Sequence, residues 1–280
     1  MDADSRSVPV FSIDSGLFFE KRVNFLGESG IQTLEPRVFF TYAGDNDQEE
    51  VPLFDSRPLR FNNFNNLFST SGFTGGDRAS DNRQVTLAVT SRIFDGDGQQ
   101  RLKASIGQAY FLEDREVTSD GIAVDGITED EETTSASKSD LLAEAEIDFG
   151  NNWELDTFVQ YGTETSDFRT VNITGEYYEN ANKFVSLSYL RSEVTSSIEQ
   201  LILQGEWPVS PHFSVFGTER YSIEDSENLH TQIGFEYDAC CWRLRLSANR
   251  LRTTSSDDRN SILAEFELTG LGKVRSGSSL

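Results

Sequence analysis

Apolar and polar residues alternate along most of this chain with the period of two that an extended strand produces, because successive side chains of a strand point to opposite faces. Val85, Leu87, Val89 and Ile93 fall on one side of a segment whose other side carries Thr86, Thr90 and Arg92. Leu102, Ala104, Ile106, Tyr110 and Leu112 likewise oppose Arg101, Lys103 and Ser105, and Leu141, Ala143, Ala145, Ile147 and Phe149 oppose Glu144, Glu146 and Asp148. Trp153, Leu155, Thr157, Val159 and Tyr161 oppose Glu154, Asp156 and Gln160. The same rhythm continues at Val171, Ile173 and Tyr177, at Phe213, Val215 and Tyr221, at Trp242, Leu244 and Leu246, and at Ile262, Phe266 and Leu268. The pattern predicts about 13 strands, many near the length of a tilted membrane strand.

The connections sort into two sets. Turns at 26–30, 96–99, 150–152, 179–183, 207–211 and 238–241 are short, whereas 44–82 and 114–138 are very long and 223–228 and 252–260 are longer than their neighbours. Short turns at one rim and longer loops at the other are the pattern of outer-membrane barrels, with the short rim in the periplasm. A secreted β-sandwich also alternates, but it has no reason to sort its loops this way, and its packed interior would not tolerate so charged a second face.

Composition agrees with a β protein. The chain holds 21 Phe, 8 Tyr, 3 Trp and 21 Gly but one Met, a balance that suits pleated surfaces and turns. Mean hydropathy is -0.45 and no run is long and apolar enough for a membrane helix, which excludes a helical membrane protein. The net charge of -23 makes phosphate backbones unfavourable partners, so nucleic acid is not expected. Met1-Asp2-Ala3-Asp4 has neither a basic region nor an apolar stretch, so either the protein stays inside or its true N-terminus is missing.

Candidate chemistry is sparse. His212 and His230 are the only histidines; an outer-membrane hydrolase would need one as a base, and Ser210 and Ser214 flank His212, but a solvated turn histidine is the expectation. Asp95-Gly96-Asp97-Gly98 resembles the start of a calcium loop, yet its twelfth position is Ile106, so a hairpin turn is expected and no metal or other cofactor is assigned. The acidic run Glu129-Asp130-Glu131-Glu132 reads as solvated loop, and Asn172-Ile173-Thr174 matches a glycosylation pattern inside a strand. Cys240 and Cys241 are adjacent at a short turn and are the only cysteines. Neighbouring thiols cannot easily bond each other. They are either small buried apolar residues or partners of cysteines outside this sequence.

Several stretches resemble one family, the outer-membrane lipopolysaccharide-assembly protein LptD. The resemblance is carried by Leu67-Phe68-Ser69-Thr70-Ser71-Gly72-Phe73-Thr74-Gly75-Gly76-Asp77-Arg78, then Asn82-Arg83-Gln84-Val85-Thr86 and Val89-Thr90-Ser91-Arg92-Ile93-Phe94-Asp95. Gln32 to Arg37, Ile106 to Phe111, Tyr237-Asp238-Ala239-Cys240-Cys241-Trp242 and Phe266 to Gly272 resemble further family segments in the same order. The resemblance implies an all-β fold, an antiparallel transmembrane β-barrel of roughly 26 strands. Residues 1–280 would be the C-terminal part of that barrel domain, a partial barrel lacking the N-terminal jellyroll and the first strands.

The implied function is lipopolysaccharide assembly at the cell surface of a Gram-negative bacterium, the lipid passing through the lumen and a lateral seam into the outer leaflet of the outer membrane. An enzyme is not expected; a porin-like channel is the alternative. Implied partners are lipopolysaccharide, an LptE-like plug lipoprotein, and a periplasmic Lpt bridge that delivers lipid through the jellyroll. Cys240 and Cys241 would form disulfides with absent N-terminal cysteines, and Ser261, Ile262, Leu263, Ala264, Glu265, Phe266, Glu267, Leu268 and Thr269 would form the last strand, on one side of the seam.

Overall fold

The computed structural model describes residues 7–44, 55–59, 63–76, 81–113, 137–194, 197–253, 257–268, 270 and 272–279. Glu129 to Glu132, Asp77, Arg78, Thr269 and Leu271 therefore lie outside the described residues. The strands are β1 (Val10–Gly16), β2 (Phe19–Phe25), β3 (Glu28–Ala43), β4 (Arg57–Pro58), β5 (Phe73–Thr74), β6 (Arg83–Phe94), β7 (Gln100–Phe111), β8 (Leu141–Gly150) and β9 (Trp153–Gly162). They continue as β10 (Asp167–Asn180), β11 (Lys183–Ser192), β12 (Ile198–Ser210), β13 (Phe213–Ser222), β14 (Glu227–Asp238), β15 (Trp242–Thr253), β16 (Asp257–Leu268) and β17 (Gly272–Ser279). A short 3₁₀ turn covers Phe64–Phe68.

Fifteen strands share one sheet, in which β6 to β17 follow one another in sequence order, each beside the next. Among the described residues β4 and β5 stand apart, as a small pair of their own. The first two strands lie along the same side of β3: β1 pairs with its Arg37–Ala43 part and β2 with its Glu28–Leu34 part. The ladder breaks between them at Pro36, which has no amide hydrogen to donate and accepts from the Leu17 amide at 3.0 Å. The β2–β3 turn places Leu26 and Gly27 at φ of 51° and 90°, the left-handed pair that a two-residue hairpin turn demands.

The faces follow the alternation. In β6, Leu87 and Val89 are exposed while Gln84, Thr86 and Ala88 are buried; in β14, Ile233 and Phe235 are exposed while Glu236 is buried. Ile93 departs from its exposed stripe and is 9% exposed. Trp153 and Ile173 are exposed, as a lipid-facing assignment requires, and Gln160 is buried on the opposite face, donating to Asp140 Oδ2 at 2.7 Å.

The connection expected at 223–228 narrows to 223–226 because the strands extend further than the apolar alternation does, yet it stays longer than 211–212 and 239–241 on either side of it; the one expected at 252–260 narrows to 254–256 and is no longer than 239–241. One expectation needs correction. A further strand, β17, pairs through Ser279 to Gly272 with Ser261 to Leu268 of β16. The strand read as last is therefore not the last of this sheet, and its outer side is occupied. Among the described residues no ladder joins β1 or β2 to β17, so the sheet is not closed.

The chain divides into two compact units, one within residues 1–147, 157–171 and 192–197, the other within 148–156, 172–191 and 198–280.

Candidate functional site

In the first unit the face that should be polar carries an apolar socket. Ala88 of β6, Ala109 of β7 and Leu142 of β8 sit at polar-face positions and are buried together with Phe64 and Leu67 of the 3₁₀ turn; Phe68, Phe111 and Phe158 pack around them. Asn63 starts that turn by accepting the Asn66 amide at 3.1 Å. Gly107 makes the fit possible, since a Cβ there would lie 3.0 Å from Ala88 Cβ and 3.2 Å from Leu67 Cδ1.

Polar groups lock the segment in place. The Leu67 carbonyl accepts from Gln84 Nε2 at 3.1 Å and from Thr86 Oγ1 at 2.7 Å, so two buried strand side chains are satisfied by the turn itself. The Phe68 ring stands edge-on to Phe39 at 6.0 Å and beneath the Arg37 guanidinium at 3.7 Å. Arg37 is held in turn by Asp14, with Nε to Oδ1 at 2.9 Å. A cavity of about 340 Å³ opens beside it, with Thr90, Glu35 and Arg92 on its wall; Arg92 pairs with Glu35.

The family signature from Leu67 to Gly76 thus belongs to a segment folded onto the inward wall. Sequence reasoning treated it as loop. The available signal was a set of small or apolar residues out of phase with their strands: Ala88, Ala109, Leu142 and Phe158.

In the second unit the inward face is ionic. Arg245 of β15 reaches Glu236 of β14 at 2.9 Å and Glu206 of β12 at 3.3 Å, and both carboxylate side chains are 7% exposed. Ser214 donates to Glu206 at 3.2 Å. The same guanidinium covers Phe216 at 3.6 Å from its ring centre, and Gly234 leaves room for that ring, since a Cβ there would meet Phe216 Cζ at 2.3 Å. One step along the register, Arg243 pairs with Asp238 at 2.9 Å and approaches Glu267 at 3.8 Å.

Cys240 and Cys241 lie beyond this network, at the β14–β15 turn that the Ala239 amide closes on the Trp242 carbonyl at 2.9 Å. Both are exposed free thiols with sulfurs 3.0 Å apart, so the buried-residue reading does not hold. Donation by the Cys241 thiol to the Cys240 sulfur holds the Cys241 proton and pushes that thiol above its ordinary value. His212 points at the Asp238 carbonyl, with Nδ1 at 2.9 Å. Asp95 Oδ1 accepts the Asp97 and Gln99 amides at 3.0 and 2.8 Å and its Oδ2 accepts Arg101 Nε at 2.8 Å, the arrangement of a hairpin turn.

Comparison with known proteins decides the family. Residues 2–213 match the family model described as LptD, LPS transport system D. The chain belongs to this family. An LPS-assembly protein LptD from Thiobacillus denitrificans is 31% identical over 97% of this chain and 36% of its own length, and one from Nitrosococcus oceani is 36% identical over 96% and 35%. A third, from Alkalilimnicola ehrlichii, is 34% identical over 98% and 36%. The chain thus spans about a third of the length of the curated LptD relatives it matches. A mutant of Rh. blastica porin aligns over 98% of this chain and 93% of its own at a TM-score of 0.36 and 8% identity, too weak a likeness to carry any argument.

LptD proteins reside in the outer membrane of Gram-negative bacteria, so the strands of this chain cross that membrane. Aromatics that are exposed or half-buried cluster at the short turns of the second unit. Trp153 stands against Tyr177 at 5.3 Å, Tyr177 against Trp207 at 5.8 Å, and Lys183 over Trp207 at 5.0 Å. Tyr237, Trp242 and Phe266 continue the row at 5.2 and 5.9 Å. Such rings suit the headgroup level, where one end is apolar and the other wet. Tyr221 stands eight residues beyond Phe213 on β13, a span of roughly 26 Å at ~3.3 Å per residue and close to the height of an outer-membrane apolar band.

Proposed function

We propose that this chain is the C-terminal part of an LptD barrel and that, within the complete protein, it helps deliver lipopolysaccharide to the outer leaflet. The observation that supports this reading best is the contrast between its faces. A band of exposed aliphatic and aromatic residues suits lipid, while Glu206, Glu236, Arg243 and Arg245 keep the opposite face polar enough for sugar headgroups. A hydrated passage spares the headgroup the cost of crossing hydrocarbon. The family names describe transport and assembly; in keeping with them, the role proposed is not enzymatic.

In this reading the jellyroll that receives lipid from the periplasmic Lpt bridge, and the remaining strands, belong to the part of the relatives that this chain does not span, and an LptE-like lipoprotein plugs the lumen. β17, laid on Ser261 to Leu268, forms one side of the lateral seam, and those residues back it as the next strand in. Cys240 and Cys241, exposed at the periplasmic rim, each bond a cysteine of the N-terminal part and so fix where lipid enters.

The test is depletion of the full-length protein in its own bacterium, with surface lipopolysaccharide as the readout. Surface lipopolysaccharide falls on depletion and returns with the wild-type gene; an undiminished level after depletion overturns the reading. A Cys240→Ser, Cys241→Ser double variant should restore transport poorly, and normal transport in it removes the disulfide role while leaving the rest.

A further inference from the structure

A groove of about 460 Å³ opens on the outward side of β11 to β14, where two glycines face each other across a ladder: Gly205 of β12 is the register partner of Gly217 of β13. Both lie on the lipid-facing stripe. Their neighbours in phase, Leu203, Trp207 and Val215, are exposed, whereas the out-of-phase Glu206 and Phe216 are buried. Removing two side chains side by side leaves a trench, which Val185, Leu203, Trp207, Val215 and Ile233 wall with apolar surface.

The trench is polar at one end. Glu219 occupies the position after Gly217 on the same stripe, receives a hydrogen bond from Asn228 Nδ2, and Asn228 Oδ1 accepts from Thr231 Oγ1 at 3.1 Å. An ionisable side chain on a lipid-facing stripe is costly unless it meets polar groups, and it marks a functional position more often than an accident. Gly217 is four residues from Phe213 and four from Tyr221, roughly 13 Å from each at ~3.3 Å per residue, so it sits near the bilayer midplane. Glu219 lies toward the 223–226 connection, on the rim opposite the Cys240–Cys241 turn. The trench therefore has an apolar floor at mid-membrane and hydrogen-bonding groups toward the cell surface, the polarity of one chain of an outer-leaflet lipid.

We propose that the Gly205–Gly217 groove seats an acyl chain of lipopolysaccharide in the outer leaflet, with Glu219, Asn228 and Thr231 meeting the polar end of that chain. The choice of lipopolysaccharide over phospholipid rests on the transport reading above, which makes it the lipid delivered to that leaflet.

A photo-crosslinking residue placed at Leu203 of the full-length protein, in its own outer membrane, tests this against the same residue at Leu87, an exposed outward position outside the groove. Lipopolysaccharide adducts at Leu203 should exceed those at Leu87 several-fold. Gly217→Leu should remove that excess without changing Leu87, and Gly217→Ala, whose Cβ meets only the Gln232 carbonyl at 3.2 Å, should reduce it in part if the larger variant fails to fold. Equal adducts at the two positions, phospholipid in place of lipopolysaccharide, or an excess that survives both variants overturns the groove. Surface lipopolysaccharide that falls on depletion while Leu203 shows no excess leaves transport standing and the groove refuted; surface lipopolysaccharide indifferent to depletion removes the transport reading itself.

Discussion

The inward faces of the two units solve the same problem differently. At β6 to β8, Ala88, Gly107, Ala109 and Leu142 form an apolar socket that the chain fills with its own Phe64–Phe68 turn. At β12 to β15 a lone buried aromatic, Phe216, is capped by Arg245, and the surrounding carboxylates are paired with that same guanidinium. An inward face is therefore not polar by rule. It is polar where it stays open to water and apolar where another part of the chain covers it, and the residues at polar-phase positions record which regime applies.

The comparison breaks most visibly at Leu67, which is completely buried. Leu67→Ala should weaken docking of the 63–76 segment by about 2–5 kcal/mol, since a cavity is left where the leucine was. Leu67→Asp should release the segment altogether. Limited proteolysis reads this directly: cleavage between 63 and 76 should become rapid in the variants while the strands stay protected. Slow cleavage in Leu67→Asp would show that the socket does not hold the turn.

Arg245→Met is the corresponding change in the other unit. It leaves Glu206 buried without its cation and Glu236 with Arg243 alone, whose Nε lies 3.2 Å from it, and should cost about 1–3 kcal/mol, less than a fully buried pair would because Arg245 is itself 36% exposed. Urea unfolding in detergent micelles measures it. Adding Glu236→Gln should recover part of the loss, because the remaining carboxylate then has a neutral neighbour. A double variant no more stable than the single one would mean that Arg245 acts through its packing on Phe216 instead.

Much of this was legible in the sequence because strand alternation is local. Each of Thr86 to Val89 announces its face through its immediate neighbours, and the hairpin at Asp95 announces itself through Gly96 and Gly98. The socket was not legible as a site. Its parts come from β6, β7, β8, β9 and a turn within a long connection, and only the tertiary fit of Leu67 against Gly107 gives the out-of-phase alanines a meaning. Strand β17 was missed for a different reason: Gly272 to Ser279 carries one large apolar residue, Val274, and pairs through its backbone with β16. The inward lining of Arg243 and Arg245 follows from the phase of Trp242, Leu244 and Leu246, but their pairing with carboxylates of other strands does not.

Gly107→Ala tests how finely the socket is matched. The new methyl would press on Ala88 Cβ at 3.0 Å, the Leu87 carbonyl at 3.1 Å and Leu67 Cδ1 at 3.2 Å, and its cost should be about 1 kcal/mol, since each of them must give by a few tenths of an ångström. The cleavage assay used for Leu67 should show a modest rise. No change would mean that the wall and the turn are less closely packed than the distances say.

The smallest effect expected is at the β6–β7 turn, which sets the register of two socket strands. Asp95 holds the Gln99 and Asp97 amides and Arg101, and these hydrogen bonds, with the Gln99 amide foremost, keep its carboxyl below the ordinary 3.8. A carboxylate whose folded value is depressed stabilises the fold fully above its unfolded value and loses that contribution as pH falls through the folded value. The turn should therefore be intact at every pH above 3.8 and loosen only in more acidic solution. Protection of the Asp97 and Gln99 amides, taken as their exchange relative to the intrinsic rate at each pH, should fall only below pH 3.8, and in Asp95→Asn it should lose that step because the group no longer titrates. Opening that begins well above 3.8 would mean the amides do not depend on this carboxylate, and that the register of β6 and β7 is set by the socket rather than by the turn.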